Sequence, residues 1–184
     1  MKDLSKRTAW IALLILVGVL SRWLPHPPNF SAFLAISLFA GFVLPLPAAV
    51  IVPVVSVFLG DALLGFHDLM WVVYLSLIPV VFMGRLMPKL NSLPKAWLTW
   101  GGLGLAASVL FFVTTNFAVW MASSQPATGA LGSYPHTWQG LVECYVMAIP
   151  FFHNSVLATW IYMGALEAVR RLSPAAFPVA AKVN

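Results

Sequence analysis

The sequence predicts an all-α integral membrane fold, six transmembrane helices in one compact bundle, and three observations predict it. Apolar stretches of spanning length recur along the chain, charged residues make up only 8% of it, and the basic residues fall between those stretches. Apolar residues account for 61% of the 184 positions and the mean hydropathy is +0.91, whereas a soluble domain is about one quarter charged. No long polar linker or second composition interrupts this pattern, so residues 1–184 read as a single membrane domain.

A spanning helix needs about 20 mostly apolar residues, each adding about 1.5 Å against a hydrocarbon core of about 30 Å. The first span, about 8–24, follows Lys2, Lys6 and Arg7; no small-x-small cleavage site precedes Arg22, so it reads as a span and not as a signal peptide. Residues 31–66 are almost wholly apolar and about two spans long. Pro45-Leu46-Pro47 divides them into spans at about 31–45 and 48–66 joined by a tight turn. A fourth span, about 68–87, ends near Arg85, Pro88 and Lys89. The fifth, about 95–121, begins after Lys95 and carries Gly101, Gly102 and Gly104, small residues that let helices approach closely. Pro150 is read as splitting the last stretch into a short outer-face helix at about 138–149, re-entrant or interfacial, and a sixth span at about 151–171.

Counting that last stretch as one crossing places Lys2, Lys6, Arg7, Arg85, Lys89, Lys95, Arg170, Arg171 and Lys182 on one side and Arg22 alone on the other. The richer side is expected to be cytoplasmic, with both termini there, in a bacterial inner membrane. The basic residues mark helix exits and not a polar face with stacking aromatics, which argues against a nucleic-acid partner. Cys144 is the single cysteine, so no internal disulfide can form, and it reads as a packing residue. The sequence holds no P-loop, no His-Glu-x-x-His, no Gly-x-Ser-x-Gly and no paired cysteines at metal spacing. Accordingly neither an enzyme nor a resident cofactor or metal is expected.

The outer face then collects the unusual polar residues. Asp61 lies about one turn inside the outer end of the third span, where a carboxylate is costly; it either pairs with Arg22, lines a pocket, or does both. Arg22 to Phe30 holds three prolines and must leave the helix as an extended connection carrying His26 and Asn29. Gly60 to Asp68 adds His67 and Asp68 around a glycine break. Asn116 and Trp120 share a helical face at a spacing of four. Pro150-Phe151-Phe152-His153-Asn154 mixes rings with polar groups, which suits an amphipathic organic ligand better than a bare ion. Tyr134, His136 and Glu143 complete the group, and structural roles compete with ligand contact at each position.

Arg22 to Phe30, Gly60 to Asp68, Thr114-Thr115-Asn116-Phe117 and Cys144 to Asn154 together resemble a family of small bacterial membrane proteins similar to the S components of energy-coupling-factor (ECF) vitamin transporters. The resemblance covers nearly the whole chain. It implies six helices holding a vitamin at the extracellular side, possible partnership with an ECF-type transmembrane subunit and ATPases supplied by other chains, and transport without covalent chemistry. Within that group it points toward the solitary cobalamin transporters, in which His26 and Asp61 match a histidine after the first helix and an aspartate in the third. The cysteine of that pattern is replaced by Leu69-Met70-Trp71, leaving His67, Met70 or His136 as substitutes for cobalt. Ala9 and Ala12 are three apart and not four, a departure from the small-residue docking motif of many S components.

The resulting expectation is a membrane subunit that captures a vitamin-like or corrinoid small molecule. Its binding residues would be His26, Asn29, Asp61, His67, Asp68, Asn116, Trp120, Tyr134, Glu143, Phe151, His153 and Asn154. Three competing readings are an ion- or proton-coupled carrier titrating Asp61, which needs polar residues continuing inward, an intramembrane enzyme using His67 with Asp61 or Asp68, and a non-transporting assembly factor, which would show a flat outer face without a cavity.

Overall fold

A computed structural model describes residues 2–87, 93–123 and 133–172, with side chains from Thr8 onward in the first segment and from Pro94 in the second. The described residues form six helices: α1 (Lys2–Trp23), α2 (Phe33–Val43), α3 (Leu46–Leu64), α4 (Met70–Arg85), α5 (Leu93–Ala122) and α6 (Trp138–Leu172). No strand occurs among them. Three of the six, α3, Pro94–Ala122 of α5 and α6, are long and apolar enough to cross a membrane; Thr8–Trp23, α2 and α4 are shorter apolar helices. Large apolar side chains such as Ile51, Leu63, Trp71, Leu75 and Leu98 are exposed around the outside, as expected where hydrocarbon and not water is the solvent. The cations Lys2, Lys6, Arg7, Lys89 and Lys182, used above to infer orientation, lie outside the described side chains.

The core is built around α2, whose residues from Phe33 to Val43 are all buried. Helices α3, α4, α5 and α6 pack against it, α1 lies mainly on α3, and α5 pairs with α6. Pro45 ends α2 and caps α3, with Pro47 in the first turn where its missing N–H leaves no bond unmade. The close approach of α2 and α4 is made by Gly41 and Gly84: a methyl on Gly41 would strike the carbonyl of Val81, and one on Gly84 the carbonyl of Leu38. At this end Arg85 donates from Nη1 to the carbonyls of Leu44 at 3.3 Å and Gly41 at 3.5 Å, closing the orphan carbonyl end of α2 with a cation.

Two expectations are corrected. The outer-face helix at 138–149 and the span at 151–171 are one continuous helix of 35 residues with Pro150 inside it. Proline removes a single helical hydrogen bond, and a membrane helix tolerates that loss when its other backbone bonds persist. Gly101 and Gly102 do not make a close helix contact either, since a methyl on either would meet only open space. Gly104 does pack, against Thr159 and the Trp160 ring, while the Trp160 indole donates to the Gly101 carbonyl at 3.0 Å.

Candidate functional site

At one end of the bundle the C-termini of α1, α3 and α5 meet the N-termini of α2 and α4 and the first half of α6. Asp61, 1% exposed, is held there from two neighbouring helices. Its Oδ1 accepts from Nη2 of Arg22 on α1, and its Oδ2 accepts from the Tyr74 hydroxyl on α4 at 2.6 Å. Gly60 makes this geometry possible, because a β-carbon there would come within 2.6 Å of Arg22 Nε. The arginine therefore lies flat on the backbone of α3, with Nε buried and unpartnered among the described residues. A cation and a phenol thus satisfy both oxygens of a carboxylate buried where an unpartnered one would be costly.

Beside this ion pair opens a cavity of about 330 Å³. Its apolar wall is Phe33 of α2, Val73 of α4, Phe111, Phe112 and Val119 of α5, and Ala148, Phe151 and Phe152 of α6. Arg22, Asn29, His67, Thr115, Asn116 and Ser155 supply the polar atoms. Phe112 sits at the centre of the aromatic cluster, 5.0 Å from Phe152 and 5.4 Å from Tyr145 between ring centroids, and Phe33 meets Phe111 at 5.0 Å. Asn116 donates from Nδ2 to the Phe112 carbonyl at 2.8 Å, leaving Oδ1 without a protein donor among the described residues. The hydroxyls of Thr115 and Ser155 donate to the Phe111 and Phe151 carbonyls one turn back. A few directed polar groups in a largely aromatic concavity is the usual make-up of a small-molecule site.

The proline-rich connection between α1 and α2 is fixed over this end. Asn154 donates to the Pro28 carbonyl at 2.9 Å, Ser155 reaches the Asn29 carbonyl at 3.5 Å, and Phe30 packs on Tyr162. Asn29 takes φ of 60°, a left-handed conformation that asparagine tolerates better than most residues. His26 turns back on its own segment, with Nε2 3.1 Å from the Arg22 carbonyl and Nδ1 2.7 Å from that of Pro27.

The twelve residues expected from sequence thus separate by position. Asn29, His67, Asn116 and Phe151 line the cavity; Asp61 stands behind it, orienting Arg22; Asn154 ties down the covering loop. Tyr134 lines an adjoining cleft, and burial pushes its phenol above the ordinary value, with Cys144 and Glu143 adding to the shift. Trp120 is engaged elsewhere: its indole donates to the Pro135 carbonyl at 2.9 Å and its ring meets that of His136. Asp68, Glu143 and His153 are exposed side chains that do not line the cavity. Among the described residues no three His, Cys, Asp or Glu side chains come together as a metal cage.

Sequence reasoning passed over Phe33, Phe111, Phe112 and Thr115. The signal available was the helical spacing from Asn116: Phe112 is four residues back and Val119 three ahead, on the face that lines the cavity. It also passed over Glu167, 1% exposed at the other end of α6, which accepts from Arg170 and Arg171 at 2.7 Å each.

The sequence matches the family of unknown function DUF6580 over residues 2–180. The chain belongs to this family. No curated protein and no solved structure matches it. For this DUF6580 member, then, the geometry of the cavity is the basis for a functional reading.

Proposed function

We propose that this protein is a membrane-embedded capture subunit, similar to the S components of ECF transporters, that binds a compact vitamin-like molecule at the periplasmic face of a bacterial inner membrane. The observation that carries this reading is the cavity of about 330 Å³ beside the Arg22–Asp61 pair, with five phenylalanines around directed polar groups. Its volume lies at the small end of ligand pockets, which run from about 300 to 1,000 Å³. That size favours a compact molecule over a corrinoid, whose macrocycle would have to sit largely outside.

The six-span arrangement with both termini in the cytoplasm belongs to the same proposal. Its support is that residues 138–172 are one helix, with Arg170 and Arg171 at the end of the bundle away from Arg22, as a single crossing would require. Both Asp61 oxygens are engaged, which suits a positioning role better than proton carriage. Energy for uptake would come from ECF-type chains or another source outside this one.

The test is to purify the protein under mild conditions, identify any retained small molecule by mass spectrometry, and challenge the emptied protein with a vitamin panel by thermal shift. Wild type is expected to retain or bind a small molecule with a compact polar part, and Asn116→Leu to lose it while still inserting and folding. An empty wild-type protein that responds to no member of the panel would refute capture. Terminal tags accessible from the periplasm would refute the orientation.

A further inference from the structure

The cavity does not end at its polar chamber. A cleft of about 350 Å³ adjoins it, and Asn116, Val119, Ala148 and Phe151 line both. Tyr134, Cys144 and Met147 complete the cleft, so its walls are α5, α6 and Tyr134 just ahead of α6. Two of its wall residues are exposed, Met147 at 53% and Phe151 at 42%. In a membrane-spanning bundle, outward-facing apolar side chains meet hydrocarbon. The polar chamber therefore lies, across Asn116, next to a cleft whose rim carries exposed apolar side chains.

The two compartments differ in chemistry. The chamber presents one cation, the Arg22 guanidinium with only Nη2 committed to Asp61, beside the mixed donor and acceptor groups of Asn29 and His67, whose side chains make no hydrogen bond among the described residues, and the uncommitted Oδ1 of Asn116. No carboxylate lines it, because Asp61 is turned to Arg22 and Tyr74. The cleft presents mostly carbon and sulfur, with the Cys144 thiol already donating to the Asn116 carbonyl at 3.4 Å. A ligand complementary to both has an acceptor-rich head and an apolar tail.

Building on the capture reading, we infer that the natural ligand is a single-tailed amphiphile, its carbonyl- or carboxylate-type head in the chamber beside Arg22 and Asn116 and its hydrocarbon tail in the α5–α6 cleft. The walls that cleft and chamber share favour a tail tethered to a held head over a free lipid chain. The ligand would consequently reach the site from the membrane flank as well as from water.

The probe is a long-chain fatty carboxylate carrying a diazirine near its methyl end, added to the full-length protein in phosphatidylcholine nanodiscs. After illumination, the labelled residues are mapped by peptide mass spectrometry. Label is expected to concentrate around Val119 and the Cys144–Ala148 stretch and to be displaced by excess unlabelled carboxylate. Met147→Trp and Val119→Trp, each filling the cleft from a different helix, should both abolish it. Label spread as strongly over Ile51, Leu75 and Leu98, or cleft label indifferent to both variants, would overturn the inference. If scattered label accompanied a retained compact molecule that Asn116→Leu releases, capture would stand and the tail would fall.

Discussion

Among the described residues two carboxylates are buried, one at each end of the bundle, and they are satisfied in opposite ways. Asp61 on α3 draws its partners from α1 and α4, Arg22 lying 39 residues away in sequence. Glu167 is satisfied within its own helix, by Arg170 and Arg171 three and four residues ahead. The first arrangement fastens three helices to one another beside a cavity. The second neutralises a helix end, adding Arg170 over the Phe42 ring at 5.4 Å, and Phe42 packs edge-on against Trp100. An ion pair that spans helices fixes tertiary geometry, whereas one spaced by three or four residues largely reports the helix it sits on.

The largest effect should come from breaking the spanning pair. Asp61→Ala leaves the Arg22 guanidinium largely buried, 19% exposed, with its carboxylate partner gone, and is expected to cost about 3 kcal/mol or more. Unfolding in mild detergent, followed by intrinsic tryptophan fluorescence, measures the loss. Replacing both partners in the double variant Arg22→Met/Asp61→Leu should recover most of that stability while removing the chamber's cation, because two apolar side chains carry no desolvation debt. If the double variant were as unstable as the single one, the pair would matter through its shape and not through its charge.

Glu167→Gln should cost less, about 1 to 2 kcal/mol, since both arginines are on long stems and can move their heads toward water at a helix end. A loss equal to that of Asp61→Ala would erase the contrast between the two ends. The smallest effect is expected for Asn154→Ala, which removes one hydrogen bond to the Pro28 carbonyl, worth about 1 kcal/mol. Its signature is faster amide hydrogen exchange confined to residues 24–31, and unchanged exchange there would mean that Ser155 and the Phe30–Tyr162 contact hold the loop alone.

How much of this was legible beforehand depended on whether a residue contrasts with its surroundings. The division at Pro45-Leu46-Pro47 was readable because two prolines cannot both continue a helix, and α2 and α3 meet there. A possible Arg22–Asp61 pair was readable because charge is costly and scarce in such a sequence. Pro150 misled, since one proline in a membrane helix removes a bond without ending the element. Beyond Phe151 and Phe152, the phenylalanine wall was illegible for a different reason: in a lipid-facing protein, apolar faces turned to hydrocarbon, to the core or to a cavity share one composition. Only the spacing from Asn116 could have marked Phe112 and Val119. Glu167 escaped because its partners stand beside it and blend with the basic helix end.

The complete enclosure of α2 constrains how the chain is made. Its ring of neighbours includes α4, α5 and α6, all of which emerge later from the ribosome. Until they arrive, the α2–α3 hairpin has only α1 beside it, so side chains destined for the protein interior must first be wetted by lipid tails. Biogenesis therefore ends with a solvent exchange, acyl chains giving way to protein. A chain halted before α6 would present an unfinished surface to the membrane's quality-control proteases.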